Sequence, residues 1–329
     1  MNWEGKKVLV TGAGGFIGSH LVERLVKLEA QVRAFVRYNS RSDWGFIEDL
    51  PEDARNKVEI STGDLKDSGA VWNAVKDREV VFHLGALIAI PYSYMNPGDA
   101  VQTNVIGSLN VLSASREFGV EKLVHTSTSE VYGTALYVPI DEKHPLQAQS
   151  PYSASKIGAD KLAESFHLTY GLPVATIRPF NTYGPRQSAR AVIPTIITQA
   201  LTGGKVKLGA VSPTRDFNYV GDTVAGFIRV AESPESTGEV INVGSGKEIS
   251  IGDLADKIAS LMDRDIEIIS DTSRIRPEKS EVNRLLADNT KAKELIQWEP
   301  RVSLDEGLRK TIEWISEHIN SYKVNIYNV

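Results

Sequence analysis

Tyr152 and Lys156 stand four residues apart in the run Pro151-Tyr152-Ser153-Ala154-Ser155-Lys156. On a helix that spacing puts both side chains on one face, one turn from each other. An ammonium fixed beside a phenol favours the phenolate, so such a pair could remove a proton near neutral pH. A free tyrosine titrates near ~10, and lowering it by about three units takes roughly 4 kcal/mol of differential stabilisation. Tyrosine and lysine at this spacing are common on solvated helices, so the pair gains meaning only from what accompanies it.

The accompaniment opens the chain. Val8-Leu9-Val10-Thr11-Gly12-Ala13-Gly14-Gly15-Phe16-Ile17-Gly18 runs from an apolar β-branched stretch into glycines at 12, 15 and 18. Ile17, Leu21, Leu25 and Leu28 then recur at helical spacing. The pattern is strand, tight turn, helix, which brings bare backbone N–H groups and a helix N-terminus against a pyrophosphate. An isolated glycine triplet reads as an ordinary turn. A strand before it, an amphipathic helix after it and a second strand beyond favour a dinucleotide.

The elements that must position these residues alternate. Gln31–Val36, Lys57–Ile60, Val80–Leu84, Lys122–Thr126 and Val174–Arg178 read as strands. Helical patterns lie between them, including Val101–Phe118 and Ser153–Tyr170. This predicts an α/β fold: a Rossmann-type doubly wound parallel sheet covered on both faces. Residues 1–179 form the expected dinucleotide-binding domain. Residues 180–329 form a smaller C-terminal α/β lobe for substrate, with part of 218–245 expected to return to the first domain. In the second half, Asn181–Arg190 reads as a turn-rich loop, and Ile193–Leu201, Ser250–Met262 and Leu304–Ile319 read as helices. The lobe is expected over the carboxyl ends of the strands, where open α/β sheets bind ligands. The polar tail after Ser321 is expected to be poorly held.

Composition narrows the class. The chain has 329 residues, a net charge of −5 and no basic block, so nothing points to nucleic acid or an anionic membrane. There are no cysteines, which excludes disulfides, thiol catalysis and thiolate metal sites and fits a reducing compartment. The first strand begins within about seven residues, leaving no room for a signal peptide. No apolar run approaches the ~20 residues of a membrane span. The expected location is the cytoplasm. The six histidines show no metal-site spacing. His83 and His125, at strand ends, read as structural, and Trp44 and Trp298 as packing residues.

The cofactor type is read from the end of the second strand. An acid about 20 residues past the glycines accepts from the ribose 2′-hydroxyl of NAD. Here Ala34-Phe35-Val36-Arg37-Tyr38-Asn39-Ser40-Arg41 holds no carboxylate before Asp43. Arg37 and Arg41 flank two small hydrogen-bonding residues, Asn39 and Ser40. Arginines pair with a 2′-phosphate, so NADP is expected, with NAD as the alternative and a solvated loop as the bland reading. Asp64-Leu65 sits where an acid could accept from the adenine amino group, or could cap its own loop.

The glycine loop, His83-Leu84-Gly85-Ala86, Asn104, Ser127-Thr128-Ser129-Glu130-Val131-Tyr132-Gly133, the Tyr152/Lys156 pair, Arg178-Pro179-Phe180-Asn181-Thr182-Tyr183-Gly184-Pro185-Arg186 and Arg215-Asp216-Phe217-Asn218-Tyr219-Val220-Gly221-Asp222 stand in one order. Together they resemble an extended short-chain dehydrogenase/reductase of the nucleotide-sugar epimerase/dehydratase group. The resemblance covers nearly the whole chain. Gln149-Ser150-Pro151-Tyr152, Arg186-Gln187-Ser188-Ala189-Arg190 and Arg276-Pro277-Glu278-Lys279-Ser280-Glu281-Val282 look most similar to 4,6-dehydratases acting on GDP- or UDP-N-acetylglucosamine in legionaminic-type sugar pathways.

The resemblance implies roles. Thr128 would hydrogen-bond the sugar 4-hydroxyl while Tyr152 takes its proton and the carbon-4 hydride passes to a tightly bound, recycled nicotinamide. The ketone acidifies carbon 5, and Glu130 would take that proton as water leaves carbon 6. Lys156 would lower the Tyr152 pKa and bind the nicotinamide ribose. Phe16, Ile17, Leu84 and Ala86 join the glycines as cofactor contacts. Asn181 and Arg186 would grip the sugar diphosphate. Arg215 and Arg276 would add arginine forks to phosphate or ribose, and Glu281 would accept from a ribose hydroxyl. Each of these also reads as a surface charge. The family analogy further implies a homodimer through the helices near Val101–Phe118 and Ser153–Tyr170.

One departure matters. Dehydratases of dTDP-glucose carry Asp-Glu where this chain has Ser129-Glu130, and Ser129 relays or orients but is no strong acid. GDP-mannose dehydratases resemble this chain there. UDP-glucuronate decarboxylases also carry Ser-Glu, with an extra cation that meets the substrate carboxylate. No such cation is identifiable from the sequence. A 4-epimerase needs no base at carbon 5. A non-catalytic nucleotide-binding protein would tend to lose the Tyr/Lys pair.

Overall fold

A computed structural model describes residues 1–324 of the chain. Its strands are β1 (Lys7–Thr11), β2 (Gln31–Arg37), β3 (Glu59–Gly63), β4 (Val80–His83), β5 (Lys122–Thr126), β6 (Val174–Pro179), β7 (Asn181–Tyr183), β8 (Lys205–Leu208), β9 (Thr214–Tyr219), β10 (Val240–Val243), β11 (Glu248–Ser250) and β12 (Glu267–Ser270). Seven form one sheet in the order β10-β6-β5-β4-β1-β2-β3, and every neighbouring pair is parallel. Strand order reverses between β1 and β4, which opens a crevice above their carboxyl ends.

Both faces of the sheet are covered, as continuous apolar runs such as Val8-Leu9-Val10 require. On one face Leu21 and Leu25 of the helix Phe16–Lys27 share a core with Val224, Phe227 and Ile228 of the helix Val220–Glu232. On the other, Val71, Val111, Leu112 and Ala163 close over Leu9, Val81 and Leu123. After β9 the chain returns to the first sheet, where β10 pairs with β6. The remaining strands, β11-β9-β7 and β12-β8, belong to the C-terminal lobe. Its core gathers Ile193, Ile196, Ile197, Leu254, Ile258, Leu308 and Ile315.

Several boundaries differ from the sequence reading. β3 starts at Glu59 rather than Lys57, because Ser61, Thr62 and Gly63 continue the ladder opposite Phe35, Val36 and Arg37. The expected helix Val101–Phe118 runs without a gap from Pro97 to Glu117 but widens at its start. A π-turn at Gln102–Ile106 joins Pro97–Val101 to Gly107–Glu117 and carries the buried Asn104. The loop expected at Asn181–Arg190 begins as β7, paired with Phe217–Tyr219 of β9. Tyr322 is anchored, since its hydroxyl donates to the Gln187 carbonyl at 2.9 Å and its ring meets Trp314 edge-on. Residues 325–329 of the expected loose tail lie outside the described residues. Trp298 packs in the core and donates to the Asp222 carbonyl, and Trp44 packs against the same core.

Candidate active site

The glycine loop is shaped by close approaches. Gly12 has φ +69°, and a Cβ there would lie 2.8 Å from the Gly85 backbone. A Cβ on Gly18 would run into the Gly12 carbonyl oxygen. Gly14 was not singled out in the sequence, yet a Cβ there would lie 2.5 Å from the Trp44 carbonyl, and the Phe46 N–H donates to the Gly14 carbonyl at 3.0 Å. Gly15 caps the helix Phe16–Lys27, with no side-chain cap and no acid in the first turn. Its N-terminal N–H groups therefore face the crevice without a competing anion.

A hydrogen-bond chain fixes the loop against the next strand. The Gly85 N–H donates to Thr11 Oγ1 at 3.0 Å, and Thr11 Oγ1 meets His83 Nδ1 at 2.8 Å. His83 Nε2 meets Ser108 Oγ at 3.0 Å, and Ser108 Oγ donates to the Asn104 carbonyl at 2.6 Å. Because Ser108 spends its proton on that carbonyl, His83 donates from Nε2 and accepts at Nδ1. Burial drives its pKa well below the ordinary value, so it is neutral. Asn104 accepts from the Leu87 N–H at 2.7 Å and donates to Ser155 Oγ at 2.9 Å, tying the Leu84–Leu87 turn to the helix Pro151–Tyr170.

A cleft of about 500 Å³ opens here, walled by Gly12, Arg37, Asp64, Leu65, Gly85, Ala86, Tyr92 and Arg190 among others. Leu84 packs beneath it against the core, beside Phe16 and Ile17. Arg37 Nε stands 4.0 Å from Asp64 Oδ2. Asn39, Ser40 and Arg41 are not among the residues walling the cleft. The Asn39 amide is turned into its own loop, accepting from Arg41 and Asp43 N–H groups and donating to the Asp43 carbonyl. Ser40 and Arg41 are exposed.

The helix Pro151–Tyr170 begins with a capping box between Ser150 and Ser153, and this sets Tyr152 and Lys156 on its buried face. Thr128 caps the 3₁₀ turn Ser129–Tyr132, accepting from the Glu130 N–H at 3.2 Å. Its hydroxyl also hydrogen-bonds the Tyr152 phenol. Burial pushes that phenol above its ordinary pKa, Thr128 opposes the rise, and Glu130 adds to it. This runs opposite to the lowering expected from Lys156. The Lys156 ammonium donates to the Thr126 carbonyl at 2.6 Å, and burial pulls it down to about 8. Ser129 is buried in the same turn.

The lobe brings charges to this turn. Arg276 Nη1 stands 3.9 Å from Glu130 Oε2 and 3.8 Å from Glu281 Oε1. Arg215 Nη2 donates to Glu281 Oε1 at 3.2 Å. The segment carrying Arg276 and Glu281 is pinned to the start of the helix Pro151–Tyr170: Ser280 donates to the Gln149 carbonyl, and Gln149 Nε2 donates to the Lys279 carbonyl at 3.1 Å. Arg186 has another partner. Its Nη2 donates to Glu23 Oε2 at 2.8 Å, on the glycine-loop helix. Asn181 Oδ1 and Thr126 Oγ1, both at strand ends, are buried without a hydrogen-bond partner among the described residues. Such orphaned polar atoms at strand ends suit a polar ligand that would hydrogen-bond them.

A family model described as GDP-mannose 4,6-dehydratase matches residues 9–311. The chain belongs to the GDP-mannose 4,6-dehydratase family. Within this family of extended short-chain dehydrogenase/reductases the reactions vary. The chain is 35% identical to a UDP-glucose 4-epimerase of Mycolicibacterium smegmatis, over 94% of its own length and 98% of that protein. It is 34% identical to a UDP-N-acetyl-alpha-D-glucosaminuronate decarboxylase of Bacillus cytotoxicus, covering 95% and 98%. Its fold matches DesIV, a dTDP-glucose 4,6-dehydratase from Streptomyces venezuelae solved with NAD bound, at a TM-score of 0.85 and 28% identity, covering 96% and 98%. The family places the protein among nucleotide-sugar enzymes with a nicotinamide cofactor. Among the described residues no helix is long and apolar enough to cross a membrane, and no cluster of metal-ligating side chains is found.

One buried acid on the helix Pro151–Tyr170 escaped the sequence reading. Asp160 lies four residues beyond Lys156 on the same helix face, 5% exposed. The signal was the continuing period 152, 156, 160.

Proposed function

We propose that the protein is a nucleotide-sugar 4,6-dehydratase acting on GDP- or UDP-N-acetylglucosamine. The observation that carries this reading is the placement of Glu130. Its charge acts on the Tyr152 phenol, and its carboxylate faces the lobe's arginines. A carboxylate at that point is needed to take a proton from carbon 5, and simple epimerisation at carbon 4 has no use for it.

In this reading Tyr152 takes the 4-hydroxyl proton, with the Thr128 hydroxyl shared between phenol and sugar. Lys156 holds positive charge next to the phenol and binds the cofactor ribose. Glu130 then removes the carbon-5 proton and, with Ser129 orienting the carbon-6 hydroxyl, that proton passes to the hydroxyl as it leaves as water and the double bond between carbons 5 and 6 forms. Gly12, Gly15 and Gly18, with Phe16 and Ile17, would hold the cofactor pyrophosphate, and Leu84, Ala86, Asp64 and Leu65 would flank its adenosine and nicotinamide halves. Bound there, the nicotinamide supplies a hydride acceptor for carbon 4 and a hydride donor for carbon 6. Arg37 favours NADP, with NAD as the alternative. Asn181, Arg215, Arg276 and Glu281 would take the nucleotide diphosphate, and Arg186 would join them only by leaving Glu23. Residues 1–179 would carry the cofactor and 180–329 the sugar nucleotide. The exposed Val101, Ile106, Leu168 and Tyr170 on the helical faces support a homodimer, which light scattering would weigh.

A second reading, UDP-glucuronate decarboxylation, is favoured by Arg276, a cation beside Glu130 that could meet a substrate carboxylate. Incubation with GDP- and UDP-N-acetylglucosamine and with UDP-glucuronate separates the two. A product lighter by one water, with no net change in nicotinamide absorbance, supports dehydration. Carbon dioxide release moves the assignment to decarboxylation.

A further inference from the structure

Tyr152, Lys156 and Asp160 follow one another at i, i+4 and i+8 on the buried face of one helix, so each neighbours the next. The proposed reaction employs the first two. Both oxygens of Asp160 are occupied. Oδ1 accepts from His125 Nε2 at 3.1 Å, and Oδ2 accepts from Ser127 Oγ at 2.7 Å and Arg178 Nη2 at 2.9 Å. Three donors from β5, its following turn and β6 thus hold one carboxylate in place. Burial would raise the Asp160 pKa, but the His125 hydrogen bond and the Arg178 charge outweigh it and hold the group near about 2.

Lys156 is 4% exposed, and among the described residues its ammonium donates one hydrogen bond, to the Thr126 carbonyl. A buried ammonium beside a neutral carbonyl sheds its proton readily. The titratable groups around it are Tyr152 and Asp160 on its own helix, His83 on β4, His125 on β5 and Arg178 on β6. Both histidines are pulled below their ordinary pKa by burial and carry no charge at neutral pH. Arg178 is committed to Asp160 and to the Tyr132 hydroxyl at 2.9 Å. On the far side of Asp160 a cavity of about 240 Å³ is walled by Glu142, Glu164, Glu239, Lys161, His144 and His167. Its charges have partners: Lys161 with Glu164 inside the cavity, and Glu239 with Lys291 and Glu142 with the Asn242 N–H outside it. His144 accepts from the Leu136 N–H and His167 bonds the Leu172 carbonyl. Asp160 is the charge that opposes the effect of burial on Lys156.

We propose that Asp160 is a positioning residue for Lys156: its buried carboxylate, fixed by His125, Ser127 and Arg178, keeps the neighbouring ammonium charged one turn from Tyr152. The inference rests on the reading in which Lys156 acts beside Tyr152.

The test reads Lys156 directly. Protein carrying ¹³C at lysine Cε is titrated by NMR, with the Lys156 signal identified by its loss in K156R. In Asp160→Asn the Lys156 midpoint is expected to fall by one pH unit or more. An unchanged midpoint overturns the proposal. Removing only the carboxylate leaves Arg178 as an uncompensated buried charge, so D160N is accompanied by the double variant D160N/R178M, which removes both charges. The same downward shift is expected in whichever variant retains the wild-type circular dichroism. Turnover of D160N should be lost mainly at alkaline pH and recover at lower pH, whereas uniform loss at every pH marks a merely structural role and overturns the proposal. Failure of the dehydratase reading looks different: no nucleotide sugar is converted by the wild type, while the Lys156 midpoint still depends on Asp160.

Discussion

The Arg276 guanidinium stands 3.9 Å from the Glu130 carboxylate, joining a segment of the C-terminal lobe to the turn that carries the proposed base. Nη1 is buried yet within hydrogen-bond distance of no partner among the described residues. A guanidinium so placed is ready for an incoming anion at small desolvation cost. Arg276→Met is expected to raise KM for the nucleotide sugar by about tenfold to a hundredfold, the range of a charged hydrogen bond. Steady-state kinetics with an unchanged KM would remove Arg276 from substrate binding.

Tyr152→Phe keeps the ring and deletes the phenol. Turnover is expected to drop by about 10²-fold or more, with cofactor affinity and melting temperature retained. Fluorescence titration with the cofactor and single-turnover rates check the two halves separately. Full activity in this variant would exclude Tyr152 as the base.

Glu130→Gln separates oxidation from elimination. Carbon-4 oxidation needs Tyr152, whereas proton removal at carbon 5 needs the carboxylate. The variant is expected to accumulate reduced nicotinamide, seen as a rise in its near-ultraviolet absorbance, without releasing dehydrated product. A variant that still dehydrates at the wild-type rate assigns the second proton transfer elsewhere.

Arg37 decides the cofactor expectation. Wild-type protein should bind NADP more tightly than NAD, and Arg37→Ala should weaken NADP by about tenfold while leaving NAD unchanged. Equal wild-type affinities for the two, measured by calorimetry, would set the NADP preference aside.

Acid sensitivity follows from His20, His83 and His125. All three are held below the ordinary 6.5 in the fold by burial, His20 at about 4, and all three return to it on unfolding. Below about pH 6.5 the unfolded chain therefore binds more protons, and stability falls as pH falls. While the three rings stay neutral in the fold the loss approaches about 4.1 kcal/mol per pH unit, three times the single-site value. Urea midpoints at pH 7.5, 6.5 and 5.5 measure this slope, and His83→Gln should lower it by about a third. A wild-type midpoint flat over that range contradicts the assignment.

Much of this was legible because it is local. The glycine loop announces itself by a β-branched run before it and a helical period after it, and the Tyr152–Lys156 spacing needs only a helix. What escaped depends on distant chain segments. Gly14 looks like a spare glycine until Trp44, thirty residues later, lays its carbonyl where a Cβ would go. Asn39 was expected at the ribose, but its amide closes its own loop, a choice open to any asparagine in a turn. The π-turn at Gln102–Ile106 has no breaker residue, and its reason is the tertiary seat of Asn104. Asp160 stands four residues past Lys156, a spacing the sequence reading left unused. Only the fold reveals that β5 and β6 turn donors toward it.

The return of residues 220–243 to the first sheet means that the backbone passes between the lobes three times, after Pro179, at Tyr219 and after Val243. A gene fragment ending at residue 179 would leave β6 as a raw border and strip Leu21 and Leu25 of their cover from Phe227 and Ile228. Severing the backbone in the Gly184–Ala191 turn would leave all three passages intact, with β7 still paired to β9. Evolution by swapping the tail half of such a chain must therefore carry over the border strand as well, so new sugar specificities are more readily made by rewriting short turns than by exchanging whole halves.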